Sequence, residues 1–93
     1  MHVFYALVSD KKDRDYVMNY LYDLCNRGEF DYFDENTLKV FSGKETKEMT
    51  DIYCLMYMSN GMTTYYEGNH KEFNETLNNV NDNAYVWKVD VHI

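Results

Sequence analysis

The hydrophobic pattern alternates between strand and helix periods along the chain, and this alternation constrains the fold more than any other feature. Residues 3–8 read Val-Phe-Tyr-Ala-Leu-Val, a compact apolar run suited to a buried strand. Ser9 and Asp10 stop it and offer an N-cap. The spacing then predicts a helix over 11–27, with Val17, Leu21, Leu24 and Gly28 on one stripe and Met18 and Cys25 beside it. Asp13 and Asp15 fall in its first turns and Arg27 in its last, as the helix dipole favours. Gly28 is placed to end the helix in a left-handed conformation.

Residues 29–33 and 37–41 read as two short strands, with Asp34-Glu35-Asn36 as the turn between them. Residues 42–50 are polar and without clear period. Residues 52–58 are apolar on every side, and their Met and Leu suit a helix. Ser42 with Glu45 forms a capping-box pattern. Asn60-Gly61 between two apolar runs favours a hairpin instead, and the helical reading of 44–59 stays as the alternative. A second helix is expected over 69–81, with Phe73, Leu77 and Val80 on its buried stripe. Residues 84–93 alternate, Tyr85, Trp87, Val89 and Val91 against Val86, Lys88, Asp90 and His92, and read as the last strand.

The expected fold is one α+β domain over 1–93. It is a small antiparallel sheet with two helices on one face, ferredoxin-like, of βαββαβ type with an extra hairpin. The open face then needs a partner or a polar coat. Tyrosines there can pack on a second copy, so a homodimer is expected.

A chain of 93 residues buries about two thirds of its unfolded surface, enough for one modest core. Ten Tyr, five Phe and one Trp, with no Pro, oppose disorder and long linkers. Sixteen carboxylates against nine Lys and Arg leave a formal charge of −7. The only short basic cluster, Lys11, Lys12 and Arg14, is interrupted by Asp13, so direct binding of nucleic acid is not expected. Cys25 and Cys54 form no CxxC pair and cannot hold zinc alone. The N-terminal apolar run lacks a basic flank and is too short for a secretory signal or a membrane span. A cytoplasmic location with free thiols is therefore expected. Asn74-Glu75-Thr76 is then a chance sequon.

No catalytic constellation stands out, and neither an enzyme nor a cofactor is expected. His2 and His92 lie near the ends of the first and last strands, which are neighbours in a ferredoxin-like sheet. They can approach each other, but chain-end histidines are ordinarily just exposed. His70 reads as a solvated residue at a helix start. Gly43-Lys44 resembles the end of a P-loop, but Leu38 stands where the loop needs glycine and Glu45 replaces its Ser or Thr. No EF-hand spacing surrounds Asp31, Asp34 or Asp82. Asp10 directly follows the first strand, where small metal-dependent nucleases of ferredoxin-like fold can hold a metal. The plainer role is a helix cap, and the acidic surface suits no nucleic-acid substrate.

The acids are clustered. Glu29, Asp31, Asp34 and Glu35 run without an intervening base; Glu45, Glu48 and Asp51 recur at intervals of three; Glu67, Glu72 and Glu75 bracket the start of the second helix. Residues three or four apart on a helix place their Cβ atoms about 5–6 Å apart, and i, i+2 on a strand lie about 6.5–7 Å apart. Phosphates along a DNA strand have comparable spacing. Such rows can meet the Lys and Arg that a DNA-binding protein uses on phosphates. These ten acids are the candidate partner-binding residues, although solvated faces are the commoner use of acid clusters.

Small size, acidity, abundant Tyr and Asn, absence of Pro and the Asn-rich stretch 78–83 give a chain that resembles the Arn family of phage anti-restriction DNA mimics and similar small acidic host-takeover proteins. The resemblance implies an acidic dimer in the host cytoplasm that blocks a host DNA-binding protein, a restriction enzyme or a nucleoid protein. It carries no residue by motif. The alternatives are a ferredoxin-like interaction or dimerisation module without mimicry and, more weakly, a metal-dependent nuclease.

Overall fold

A computed structural model describes residues 1–66 and 70–93. In chain order the elements are β1 (His2–Ser9), α1 (Arg14–Asn26), β2 (Tyr32–Ser42), α2 (Gly43–Thr46), β3 (Ile52–Tyr57), β4 (Met62–Tyr65), α3 (His70–Asn78) and β5 (Tyr85–His92). The five strands form one sheet in the order β2-β5-β1-β3-β4. β1 runs antiparallel to β5, and its register carries His2 opposite His92 and Ser9 opposite Tyr85. β1 is parallel to β3, while β2 and β4 pair antiparallel with β5 and β3. The α+β class stands. The expected antiparallel, ferredoxin-like sheet does not: among the described residues there are five strands, and one central pair is parallel.

The helices do not share a face, which corrects the second part of that expectation. Val17, Met18, Leu21 and Leu24 of α1 pack on Tyr5, Leu7, Cys54, Met56, Trp87, Val89 and Val91. Phe73 and Leu77 of α3 pack on Ala6, Ile52, Leu55 and Val86, the alternate residues of the same strands. Successive side chains of a strand point to opposite faces. The unbroken apolar run in β1 is what a strand covered on both faces requires. Trp87, Val89 and Val91 lie in the α1 core as the alternation predicted, whereas Tyr85 is exposed.

Helix α1 starts later than expected. Asp13, not Ser9 or Asp10, is the N-cap, and its carboxylate accepts from the Tyr16 amide at 3.2 Å. Ser9 Oγ accepts instead from the Lys11 amide at 3.1 Å and holds the connecting turn. Arg27 is the C-cap, and Gly28 follows with φ +82°, which lets the Glu29 amide return to the Leu24 carbonyl at 3.0 Å.

Residues 29–41 do not make two strands. β2 is continuous, and the expected turn is a bulge inside it. Asp34 pairs with Asp90 and Lys39 with Lys88, so five steps along β2 face two along β5. The extra residues are held locally: the Asn36 amide donates to Asp34 Oδ1 at 3.0 Å, Thr37 Oγ1 donates to the Asp34 carbonyl at 2.7 Å, and the Asp90 amide donates to Thr37 Oγ1 at 2.9 Å.

The Ser42–Glu45 capping box is present, but it starts the short α2 rather than a helix through 59. The hairpin at Asn60-Gly61 is formed. It uses a loop over 58–61 instead of a two-residue turn, with Gly61 at φ +68° and its amide on the Tyr57 carbonyl at 2.9 Å. Helix α3 ends at Asn78, and 79–84 form the turn that enters β5.

Candidate functional site

The acid run of 29–35 sits where the sheet is unpaired. β2 is an edge strand, and Asp34 and Glu35 ride on it, with Glu29 and Asp31 on its approach. All four side chains are exposed. The Asp31 amide donates to the His92 carbonyl at 2.8 Å, which ties the approach to the end of β5. Asp31 Oδ2 lies 3.2 Å from His92 Nδ1, an ion pair only when that imidazole is protonated. Asp34 Oδ1 accepts from the bulge, and Arg14 reaches the backbone carbonyl of Glu35 at 3.2 Å, not its carboxylate. Among the described residues, Glu29, Asp34 and Glu35 make no ion pair. Their charge is therefore available to solvent or to a partner.

The other candidate acids are carried elsewhere. Glu45 is exposed, but one carboxylate oxygen accepts from the Ser42 amide at 3.0 Å. The backbone and hydroxyl hydrogen bonds of Ser42 hold its carboxyl below the usual range. Glu48 follows α2 and is exposed. Asp51 is neutralised: both its oxygens accept from Lys88 Nζ, at 2.8 and 2.7 Å. Glu72 and Glu75 are exposed on α3, which packs across β1 and β3 on the face opposite α1. Glu67 lies outside the described residues. The edge of β2 thus gathers four of the acids, while Glu45 lies on α2, Glu48 and Asp51 lie between α2 and β3, and Glu72 and Glu75 lie on α3. The described residues extend over 29 × 29 × 23 Å, so one side spans the rise of about eight base pairs.

His2 and His92 do meet. Their ring centroids are 5.0 Å apart at 76°. His2 Nδ1 lies 3.1 Å from Asp90, and Tyr32, directly opposite His92 in the register, stacks on it at 4.8 Å and 4°. The Tyr32 partnership is absent from the sequence reading, because it depends on which residue of β5 faces the start of β2. No group of three or more His, Cys, Asp and Glu side chains suited to a metal occurs among the described residues. Asp10 is exposed and does not cap α1.

Cys25 and Cys54 are both free thiols. Burial, with a smaller push from Glu29, raises the Cys54 thiol to about 12. No helix among the described residues is long and apolar enough to cross a membrane.

Comparison with protein-family models, with curated proteins and with solved structures finds no match.

Proposed function

We propose that the chain is a small inhibitory binding protein that engages a DNA-binding protein by offering carboxylates where that protein expects phosphates, in the manner of a phage anti-restriction or nucleoid-protein antagonist. The observation that carries this reading is the free edge of β2: Glu29, Asp34 and Glu35 are exposed there without an ion pair among the described residues, beside Asp31. Charges left unneutralised and close together destabilise their own fold slightly, and a basic partner relieves that cost. The test is competition. A DNA-binding protein is mixed with its labelled duplex and this chain, and release of duplex is followed. Reversal of Glu29, Asp31, Asp34 and Glu35 to Lys abolishes release; release that survives the reversal would falsify the assignment of this edge.

A second reading, a self-association or interaction module without mimicry, is favoured by the aromatic surface. Tyr22 and Tyr32 are 53% and 51% exposed and flank a hollow of about 230 Å³ floored by Phe33 and Cys25. On the sheet face opposite α1, Phe4 and Phe41 are half-buried around Lys39 and Lys88, and under this reading a dimer contact would use this half of the sheet. Binding through these patches tolerates salt, whereas binding through the β2 edge is lost steeply as salt rises.

A further inference from the structure

A hollow of about 390 Å³ opens at the carboxyl ends of the parallel strands β1 and β3. That volume is within the ordinary range for small-ligand sites, about 300–1,000 Å³. The carboxyl ends of parallel strands are also where open sheets receive ligands, because the connecting loops diverge there. Ser9 and Asp10 leave β1 into it, Tyr57 and Ser59 leave β3, and Asn83 and Tyr85 come from the turn into β5. A second hollow of about 260 Å³ shares Asn83 and Tyr85 and continues past Lys12 and Glu45. Tyr85, 38% exposed, stands between the two.

The rim is held in place before any ligand arrives. The Asn83 amide donates to Asn81 Oδ1 at 2.8 Å, and the Ala84 amide donates to the Asn81 carbonyl at 3.0 Å. From α2, the Gly43 amide donates to the Ala84 carbonyl at 3.0 Å and the Lys44 amide to the Asp82 carbonyl at 3.1 Å. Lys47 Nζ lies 2.7 Å from Asp82. A turn fixed this way loses little further freedom on binding.

The lining selects the ligand's chemistry. No Lys, Arg or His lines the larger hollow among the described residues, so an anion would meet Asp10 uncompensated. A metal cation would find a single carboxylate there. A wholly apolar ligand would leave the Asp10 carboxylate, the Asn83 amide and the Ser59 hydroxyl at its border with no hydrogen bond in return. The remaining class is a neutral molecule with an apolar face and a rim of hydroxyls, which can lie on tyrosine rings, donate to Asp10, and both donate to and accept from Asn83 and Ser59. We propose that this hollow is a binding site for a neutral carbohydrate. One pyranose sits at Tyr57 and Tyr85, and the next unit passes Tyr85 into the smaller hollow.

The proposal is independent of Glu29, Asp31, Asp34 and Glu35, none of which lines either hollow, and its test separates the two. Saturation-transfer NMR is run on the intact chain with a panel of neutral mono- and disaccharides, and with adenosine and inorganic phosphate for comparison. Transfer to at least one sugar is expected, with dissociation constants on the order of 1 mM and none for phosphate. Tyr85→Ala weakens sugar binding about 10-fold and Tyr85→Phe preserves it. Asn83→Ala, at an exposed side chain, weakens it without changing the thermal transition. Reversal of the β2-edge acids leaves it unchanged. Silence from every sugar, a response from adenosine or phosphate alone, or sugar binding that survives Tyr85→Ala in a folded variant overturns the proposal.

Discussion

A Cβ on Gly43 would overlap the backbone carbonyl of Asn81, so the first residue of α2 and the turn before β5 meet backbone against backbone. The contact leaves no flexible side chain to move aside. Gly43→Ala is expected to cost about 1–3 kcal/mol, the usual range for overpacking a tight contact. Denaturant unfolding measures it, and an unchanged midpoint would show that the turn can retreat.

The capping box that starts α2 contributes through both of its partners. Ser42→Ala is expected to cost about 1 kcal/mol. Glu45→Gln acts through charge. The Glu45 carboxyl is lowered by its Ser42 hydrogen bonds, so its contribution is present above its ordinary value near 4.5 and is lost as pH falls through the lower folded value. Stability curves of wild type and Glu45→Gln should therefore converge in acid and separate towards neutrality. Curves that stay parallel would show that the carboxylate form does not matter.

At the alkaline end the sign reverses. The Cys54 thiol is raised by burial from 9.0 to about 12, so the unfolded chain loses its proton first. The contribution is complete below pH 9 and is lost as pH rises from there towards 12. Tyr5, raised by burial and by its neighbours Cys54 and Tyr65, adds to the loss above pH 10. Cys54→Ala should flatten the early part of that decline. At pH 8 a thiol reagent should label Cys25, which is half-buried, and spare Cys54 until the chain unfolds. Equal labelling rates would contradict the burial.

The two cores should respond separately. Leu21 and Leu55 are both 0% exposed, on opposite faces of the sheet. Each truncation to Ala is expected to cost about 2–5 kcal/mol. Native-state hydrogen exchange in Leu55→Ala should rise most in α3, and in Leu21→Ala most in α1. Trp87 differs: its indole Nε1 is buried without a partner among the described residues. Trp87→Phe removes that orphan donor together with some packing, so its cost should fall below that of either leucine truncation.

Much of the fold could be read from the residues. Asn60-Gly61 announced the hairpin, and the alternation of 85–91 announced β5 and its buried Trp87, Val89 and Val91. What failed depended on pairing between distant segments. Asp34-Glu35-Asn36 has turn chemistry and makes turn-like hydrogen bonds, but the residues on both sides keep their partners on β5, so the chain bulges without breaking. Ser9, Asp10 and Asp13 are all capping residue types, and only the length of the connection from β1 decides among them. The all-apolar run in β1 carried the sign of a strand covered twice, and the two-helices-on-one-face plan passed over it. For the acids, exposure was legible and grouping was not. Asp51 looks like its neighbours in sequence, yet Lys88, thirty-seven residues away, cancels it.

The bulged, carboxylate-bearing margin of β2 also bears on how the chain behaves when crowded. Unpaired strand margins invite addition of further strands, and irregular backbone with repelling charge is how natural sheets discourage it. Near the isoelectric point of about 4.7 the chain as a whole carries no net charge to hold copies apart, and the irregular backbone of the bulge is then what opposes strand-to-strand accretion at this margin.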